Sequence, residues 1–150
     1  MTDLANLQAL DEQAWTFLCG MVADLNDEQI ARHAPAIDER SIAGVTIHAY
    51  VSAFYMVFPL AGKDWPTMSA EPPATTADLL STLDDMHARV KELLADLPAG
   101  ALEKMYDMPW GVQWQGRQAM VSALAHALVH AGAIQGMRAM LGFPTPPEKS

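Results

Sequence analysis

Residues 126–142 of the chain read HALVHAGAIQGMRAMLG, and this stretch decides the expected fold. Apolar and small side chains fill almost every position, which is typical of a helix that is buried on most of its faces. Gly142 follows the last apolar residue as a C-terminal cap, and Pro144 prevents the helix from continuing. The same composition extends back to Arg117. The sequence therefore predicts a long helix over about residues 117–141.

Three earlier segments also predict helices. In the first and third, apolar residues recur at steps of three and four, and charged residues lie off that face. Turn formers and prolines separate the segments, and a Pro-Trp-Gly turn between residues 98 and 116 predicts a small hairpin or an extended loop. The three predicted helices cover about residues 3–25, 41–60 and 76–97. With the last helix they predict an all-α four-helix bundle with long connections, formed as a single domain from residues 1–150.

The composition narrows the class of protein. The 150-residue chain is 51% hydrophobic, enough for a domain that buries roughly 70% of the surface of its unfolded form. Eighteen acidic and nine basic residues give a net charge of -9, so we expect no nucleic-acid partner and no binding to anionic membranes. The N-terminus does not resemble a signal peptide, and the single cysteine, Cys19, cannot form an intrachain disulfide. These observations predict a cytoplasmic protein.

Two of the predicted helices consist mostly of a long stretch without charged residues. Residues 41–62 and 118–137 contain no Asp, Glu, Lys or Arg, and each segment is close to the roughly 20 residues that span a bilayer. Both are nevertheless rich in small residues and contain histidine near the middle. We therefore expect two helices that are buried inside a bundle and no membrane span.

Three histidines lie on these uncharged helices. His126 and His130 are four residues apart, so their side chains lie one turn apart on the same helical face. His48 lies near the middle of the other uncharged helix. If the two helices are neighbours, the three imidazoles can bind one divalent metal ion and leave a coordination position open for a reactant.

A second interpretation of the same histidines stays open. Each ring can instead be a separate core residue whose nitrogens bond to backbone carbonyls or to Ser and Thr hydroxyls. Ser52 lies one turn after His48, and Ser122 lies one turn before His126. These hydroxyls suit either interpretation, because they can also orient metal-binding rings.

Other polar and aromatic residues are weaker candidates. Asp107 is either a fourth metal ligand or a solvated turn residue. Cys19 is expected to act as a small apolar residue, and His33 and His87 are expected on the surface. Four aromatic residues either form a substrate-binding surface or plug the ends of the bundle; they are Tyr50, Tyr55, Trp110 and Trp114.

The last and second helices resemble those of one known family, the DinB/YfiT-like metalloenzymes. Its last helix carries a His, three residues, a second His that is followed by Arg-Gly-Gln, and a short Leu-Arg-x-Leu-Gly ending. The segment SIAGVTIHAYVSAFY, residues 41–55, resembles the second helix of that family, with one histidine at His48. The matching positions in the last helix are His126, His130, Gly132, Ile134, Arg138, Leu141 and Gly142.

The resemblance implies a fold, a site and a chemistry. The fold is a bundle of up-down-down-up topology with long crossover connections, and the site is a mononuclear centre made by His48, His126 and His130. Nickel and zinc are the usual ions, and several members of the family are homodimers. Known activities include thiol-dependent S-transferases and a mycothiol-dependent maleylpyruvate isomerase.

Three positions depart from the pattern of that family. Ala131 and Ala133 replace Arg and Gln, and Ala127 replaces an acidic residue.

The three histidines and the resemblance together predict a divalent-metal-dependent enzyme that activates a small-molecule thiol, or water, for transfer to an electrophilic substrate. The alternative is a metal-free helical bundle for binding or dimerisation that has lost catalysis.

Overall fold

The computed structural model describes residues 2–146, and within them four long helices pack as a bundle. This architecture confirms the predicted all-α four-helix bundle. Residues 1 and 147–150 of the predicted domain lie outside the described part of the chain. The elements in chain order are α1 (Asp3–Gly20), α2 (Asp27–Ile30), β1 (His33–Ala34), β2 (Asp38–Ser41), α3 (Ile42–Leu60), α4 (Thr76–Ala95), β3 (Met105–Asp107), β4 (Gln113–Gln115) and α5 (Gly116–Leu141).

Helices α1 and α5 run in the same direction. Arg117 at the start of α5 forms an ion pair with Asp3 at the start of α1, with 2.5 Å between Nη1 and Oδ2. At the other end, Arg138 near the end of α5 pairs with Asp24, which follows α1, at 2.7 Å. The two helices are therefore joined to each other near both ends.

Helices α3 and α4 run in the opposite direction. The hydroxyl of Thr76, at the start of α4, donates to a backbone carbonyl just beyond the end of α1 at 2.8 Å. Along α3, His48 faces His130, whereas Ser52, one turn later, faces His126, one turn earlier in α5. The directions give the up-down-down-up topology that the resemblance implies.

Local sequence explains most helix ends. Ser41 caps α3 by accepting a hydrogen bond from the Gly44 amide at 3.0 Å, and Gly142 ends α5 in the left-handed conformation with φ 74°. The first helix is shorter than predicted and ends at Gly20. The chain then turns over residues 21–24, and Asn26 caps the start of the short helix α2. The ends of the other long helices lie within two residues of their predicted positions.

Two antiparallel hairpins flank the bundle. The predicted hairpin is formed by β3 and β4, with Tyr106 opposite Trp114. The turn before β3 packs so closely on the start of α5 that a Cβ at Gly116 would lie 2.2 Å from the carbonyl oxygen of Ala101. The hairpin of β1 and β2 was not predicted, because its charged strand DERS lacks alternating apolar residues. It leads directly into α3.

Helices α3 and α5 are each long and apolar enough to cross a membrane by length and composition alone. Their most apolar windows have mean hydropathies of 1.4 and 1.2. Core helices of soluble proteins have the same properties, and in this bundle α3 and α5 pack against each other more extensively than any other pair. The absence of a membrane span stays a prediction.

A buried polar cluster joins α3 to α1 and α4. The hydroxyl of Tyr50 donates to Asp11 at 2.5 Å and lies 3.0 Å from Nδ1 of His87. His87 also approaches Glu12, with 3.0 Å between Nε2 and Oε2, and stacks on Trp15 with 4.3 Å between ring centroids. Asp11 is only 1% exposed, so the cluster is a polar part of the core.

Two predictions are wrong at this cluster. His87 was expected on the surface, and Tyr50 either on a substrate-binding surface or as a plug at the end of the bundle, yet both side chains are buried in a polar cluster of the core. The physical reason is that α1 supplies the carboxylates of Asp11 and Glu12, which satisfy the polar atoms of the other two residues. The spacing of residues within α4 cannot predict that His87 has hydrogen-bonding partners on another helix.

The cluster predicts how stability depends on pH. Burial acts to lower the pKa of His87, but the hydrogen bonds and charges of Asp11 and then Glu12 outweigh it and raise the pKa. A raised pKa stabilises the folded state fully below about pH 6.5, the usual value for an unfolded chain. This contribution is lost as the pH rises through the folded pKa. The free energy of unfolding should therefore fall from pH 6.5 upward.

The measurement is urea unfolding at several values between pH 6.5 and 8.5, with His87→Gln as the comparison. The wild-type free energy should decline over this range more steeply than that of the variant. The pKa values of His48 and His130 are lowered, so the contributions of these two residues to the free energy of unfolding change mainly below about pH 6.5. They therefore do not interfere with the slope measured between pH 6.5 and 8.5. Equal pH slopes for the two proteins would contradict the assignment to His87.

Candidate metal centre

Three half-buried histidines meet between α3 and α5. His48 comes from α3, and His126 and His130 come from successive turns of α5. Each offers one ring nitrogen such that the three nitrogens lie within 4.8 Å of one another. Within residues 2–146, this is the one group of three His, Cys, Asp or Glu side chains that is close enough to hold an ion. The rings are thus clustered and not separate core histidines.

Small residues allow this approach. Ala49 and Ala53 on α3 and Ala123 and Ala127 on α5 are buried, with at most 4% of their surface exposed. Short side chains at a helix contact let the two backbones come close. The imidazoles can then reach across the gap, and the ring centroid of His48 lies 4.9 Å from that of His126.

Hydrogen bonds orient the ring of His126. Its Nδ1 lies 3.2 Å from Oγ of Ser52 and 3.4 Å from the carbonyl oxygen of Ala49. A carbonyl can only accept, so this contact assigns the proton to Nδ1 and leaves the lone pair on Nε2. Ser52 therefore has the orienting position that the sequence predicts, whereas Ser122 lines a neighbouring cavity.

The spacing of the nitrogens fits a divalent ion. Nε2 of His126 lies 3.1 Å from Nε2 of His130. Two nitrogen ligands at 2.0–2.1 Å from a tetrahedral ion would be about 3.3–3.4 Å apart. Two unprotonated nitrogens at the observed distance repel each other unless a proton or a cation lies between them. The donor set is also suitable, because neutral imidazole binds zinc and nickel well.

The environment keeps two of the rings neutral. Burial is the largest cause that lowers the pKa of His48 to about 4, followed by the charge of Arg40 and by the other two imidazoles, while Asp38 opposes them. Burial, and then His126, also lower the pKa of His130. At neutral pH His48 is therefore in the uncharged form that binds metals.

Two cavities border the histidines. We call the first the polar cavity; it has about 500 Å³ and reaches His48. We call the second the aromatic cavity; it has about 380 Å³ and reaches His126. The polar cavity is lined by side chains that include His33, Arg40, Ser41, Ser69 and Glu71. The aromatic cavity is lined by side chains that include Ser52, Tyr55, Trp65, Trp110, Trp114 and Ser122.

The remaining candidates lie in different places. Asp107 is exposed in β3 and accepts a hydrogen bond from the side chain of Gln113 at 2.8 Å, so it is a hairpin residue and not part of the histidine group. Cys19 packs against the core. Sequence reasoning missed Trp65, because the proline-rich connection after α3 has no periodicity that relates it to the site.

The bundle and its histidine group define a helical protein with a three-histidine centre that could hold a divalent ion. The family model of the DinB superfamily matches residues 10–134, a span that contains all three histidines. The chain therefore belongs to the DinB superfamily, as its sequence predicts. A search of the curated proteins found no match.

Two of the departures from the family motif lie inside the core. Ala127 and Ala131 are fully buried, so neither position presents a side chain to either cavity. Polar contacts to any bound molecule would therefore come from the residues that line the cavities.

Proposed function

We propose that the protein is a divalent-metal-dependent enzyme that transfers a small-molecule thiol, or water, to an electrophilic substrate. Nickel or zinc would be held by His48, His126 and His130. The observation that carries the proposal is the group of three ring nitrogens within 4.8 Å, bordered by two cavities. Membership of the DinB superfamily supports it.

The chemistry of the donor set suits this reaction. A bound divalent ion supplies Lewis acidity, which lowers the pKa of a thiol or of water and makes a nucleophile available at neutral pH. Imidazole ligands add no negative charge, so the three histidines preserve this acidity. In the transfer, sulfur bonds to the electrophilic carbon, the leaving group departs from that carbon, and the thiol proton is released with it.

The chain's own residues position the participants. Ser52 and the carbonyl of Ala49 fix the ring of His126, so its Nε2 faces the other two histidines before a reactant arrives. The cavities give access to the group from two sides. We place the enzyme in the cytoplasm, where small-molecule thiols stay reduced.

Product analysis on metal-loaded protein tests the proposal. We expect wild-type protein to form S-conjugates from 1-chloro-2,4-dinitrobenzene and at least one of cysteine, glutathione and 2-mercaptoethanol, measured by absorbance and mass spectrometry. Removing the orienting hydroxyl in Ser52→Ala should lower metal affinity or rate by about 10-fold, because ligand orientation typically contributes that much.

Ser122→Ala is the matched control, because it removes a hydroxyl from the same cavity without a contact to Nδ1 of His126. It should retain wild-type metal affinity. Metal-loaded protein that neither conjugates any of the three thiols nor hydrolyses the electrophile would contradict the proposal and favour a binding module.

A further inference from the structure

The aromatic cavity has an unusual lining for a surface depression. Its large side chains come from three separate segments, namely α3, the connection after α3 and the β3–β4 hairpin. Within residues 2–146, no acidic, lysine or arginine side chain lines it. Its walls are therefore mainly apolar, with the hydroxyls of Tyr55, Ser52 and Ser122 and the imidazole of His126 as polar groups.

The rings line the cavity instead of filling it. Trp65 and Trp110 are 43% and 56% exposed, a costly arrangement for large apolar side chains in water. Trp110 is one of the four aromatic residues for which the sequence left a binding surface or a plug open, and its exposure favours the binding surface. The remaining volume of about 380 Å³ is more than twice that of an apolar cavity that accepts benzene, about 150 Å³.

The geometry of the walls favours a flat ring. Trp110 and Trp114 meet edge to face with 5.3 Å between centroids, and Tyr55 lies 6.4 Å from Trp65. Aromatic rings prefer offset-stacked or edge-to-face partners at such separations. A planar guest can therefore contact ring faces and edges together.

Local structure holds one wall in place. Gly111 follows Trp110 and has φ 87°, a left-handed conformation that closes the turn of the hairpin. Its amide donates to the carbonyl of Met108 at 3.0 Å, and the Met108 amide donates to Val112 at 2.7 Å. The indole of Trp110 is therefore attached to a defined turn.

From this cavity we infer that the electrophilic substrate carries a flat aromatic ring, which the aromatic cavity binds beside His126. The specification of a substrate rests on the proposed function, whereas binding of the ring does not require a metal. His126 lines the cavity, so a short substituent on a bound ring reaches the histidine group.

Three ligands of different shape test this inference on nickel-loaded protein: imidazole, 4-phenylimidazole and 4-cyclohexylimidazole. All three present a nitrogen to the ion. We expect 4-phenylimidazole to bind about 30-fold more tightly than imidazole through burial of its ring. It should bind about 5-fold more tightly than the cyclohexyl compound through ring contacts. Tryptophan fluorescence reports binding, because three of the four tryptophans line the cavity.

Variants locate the effect. In Trp65→Ala and Trp110→Ala, which replace exposed side chains, the advantage of 4-phenylimidazole over imidazole should fall to about 3-fold, in proportion to the contact area lost. Phe17→Ala removes an exposed aromatic side chain on α1 that does not line the cavity and should retain the full advantage. Circular dichroism checks that each variant keeps its helices.

A metal-free arm separates the two proposals. After chelation, saturation-transfer NMR with 2-naphthalenemethanol should show contact with wild-type protein and a much weaker signal with Trp110→Ala. Failure to bind either nickel or zinc would overturn the proposed function, while this metal-free arm would still test the cavity. No signal in this arm, or equal affinities for imidazole and 4-phenylimidazole, would overturn the inference.

Discussion

His126→Ala should bind nickel or zinc more than about 100-fold more weakly than the wild-type protein, because removing a ligand costs more than the 10–100-fold typical of the residues that orient ligands. His126 is the central member of the group, with its Nε2 3.1 Å from that of His130. At a free metal concentration 1,000 times the wild-type Kd, binding stabilises the folded state by about 4 kcal/mol. For a chain of this size that corresponds to a rise in Tm of about 8–16 °C.

Calorimetric titration and thermal unfolding, each after chelation and then with added metal, measure these quantities. His33→Ala is the matched control, since His33 is exposed and bonds to the carbonyl of Glu39 at 2.8 Å, outside the three-histidine group. It should keep the full rise in Tm. If His126→Ala still bound one equivalent of metal with wild-type affinity, the ion would bind at another site. If the Tm of the wild-type protein did not change with either metal, the protein would be a metal-free bundle.

Arg138→Met should lower the free energy of unfolding by about 3 kcal/mol, because it removes the buried member of a partly buried ion pair and leaves two backbone carbonyls without their donor. The guanidinium is 1% exposed and donates to both carboxylate oxygens of Asp24 at 2.7 and 2.8 Å. It also donates to the carbonyl of Met21 at 2.8 Å and to that of Pro144. The hydrogen bonds from Arg138 to the carboxylate are the largest cause that lowers the pKa of Asp24, against the effect of burial.

Urea unfolding measures the loss, and the Tm should fall by about 6–12 °C. Arg89→Met is the matched control, because Arg89 is 37% exposed and pairs with Glu92 one turn away on the same helix. Such a pair contributes about 0.5 kcal/mol. Equal losses in the two variants would show that burial of Arg138 adds nothing to its contribution.

The helical fold could be predicted from the sequence because its signals are local. Apolar periodicity located the long helices, and Gly142 and the Pro-Trp-Gly turn marked the end of α5 and the hairpin. The early end of α1 and the β1–β2 hairpin were missed, since the chain there is polar and its conformation depends on caps such as Asn26. Tertiary contact, not spacing, selects structure in such segments.

The site could be predicted in part. The spacing of His126 and His130 places them on one face, but their meeting with His48 depends on the contact between α3 and α5. The roles of Tyr50 and His87 were misjudged for the same reason, because their partners lie on α1. A buried polar residue cannot be distinguished from a surface one until its partner is known.

The cluster around Tyr50 has a consequence for the neighbouring histidine. His48 and Tyr50 are two residues apart on α3, so their side chains leave opposite sides of the helix. Rotating α3 to move the imidazole would break the 2.5 Å bond between Tyr50 and Asp11 inside the core. The entropy of fixing the backbone at His48 is therefore lost during folding, so adding nickel or zinc should leave the backbone conformation of α3 unchanged.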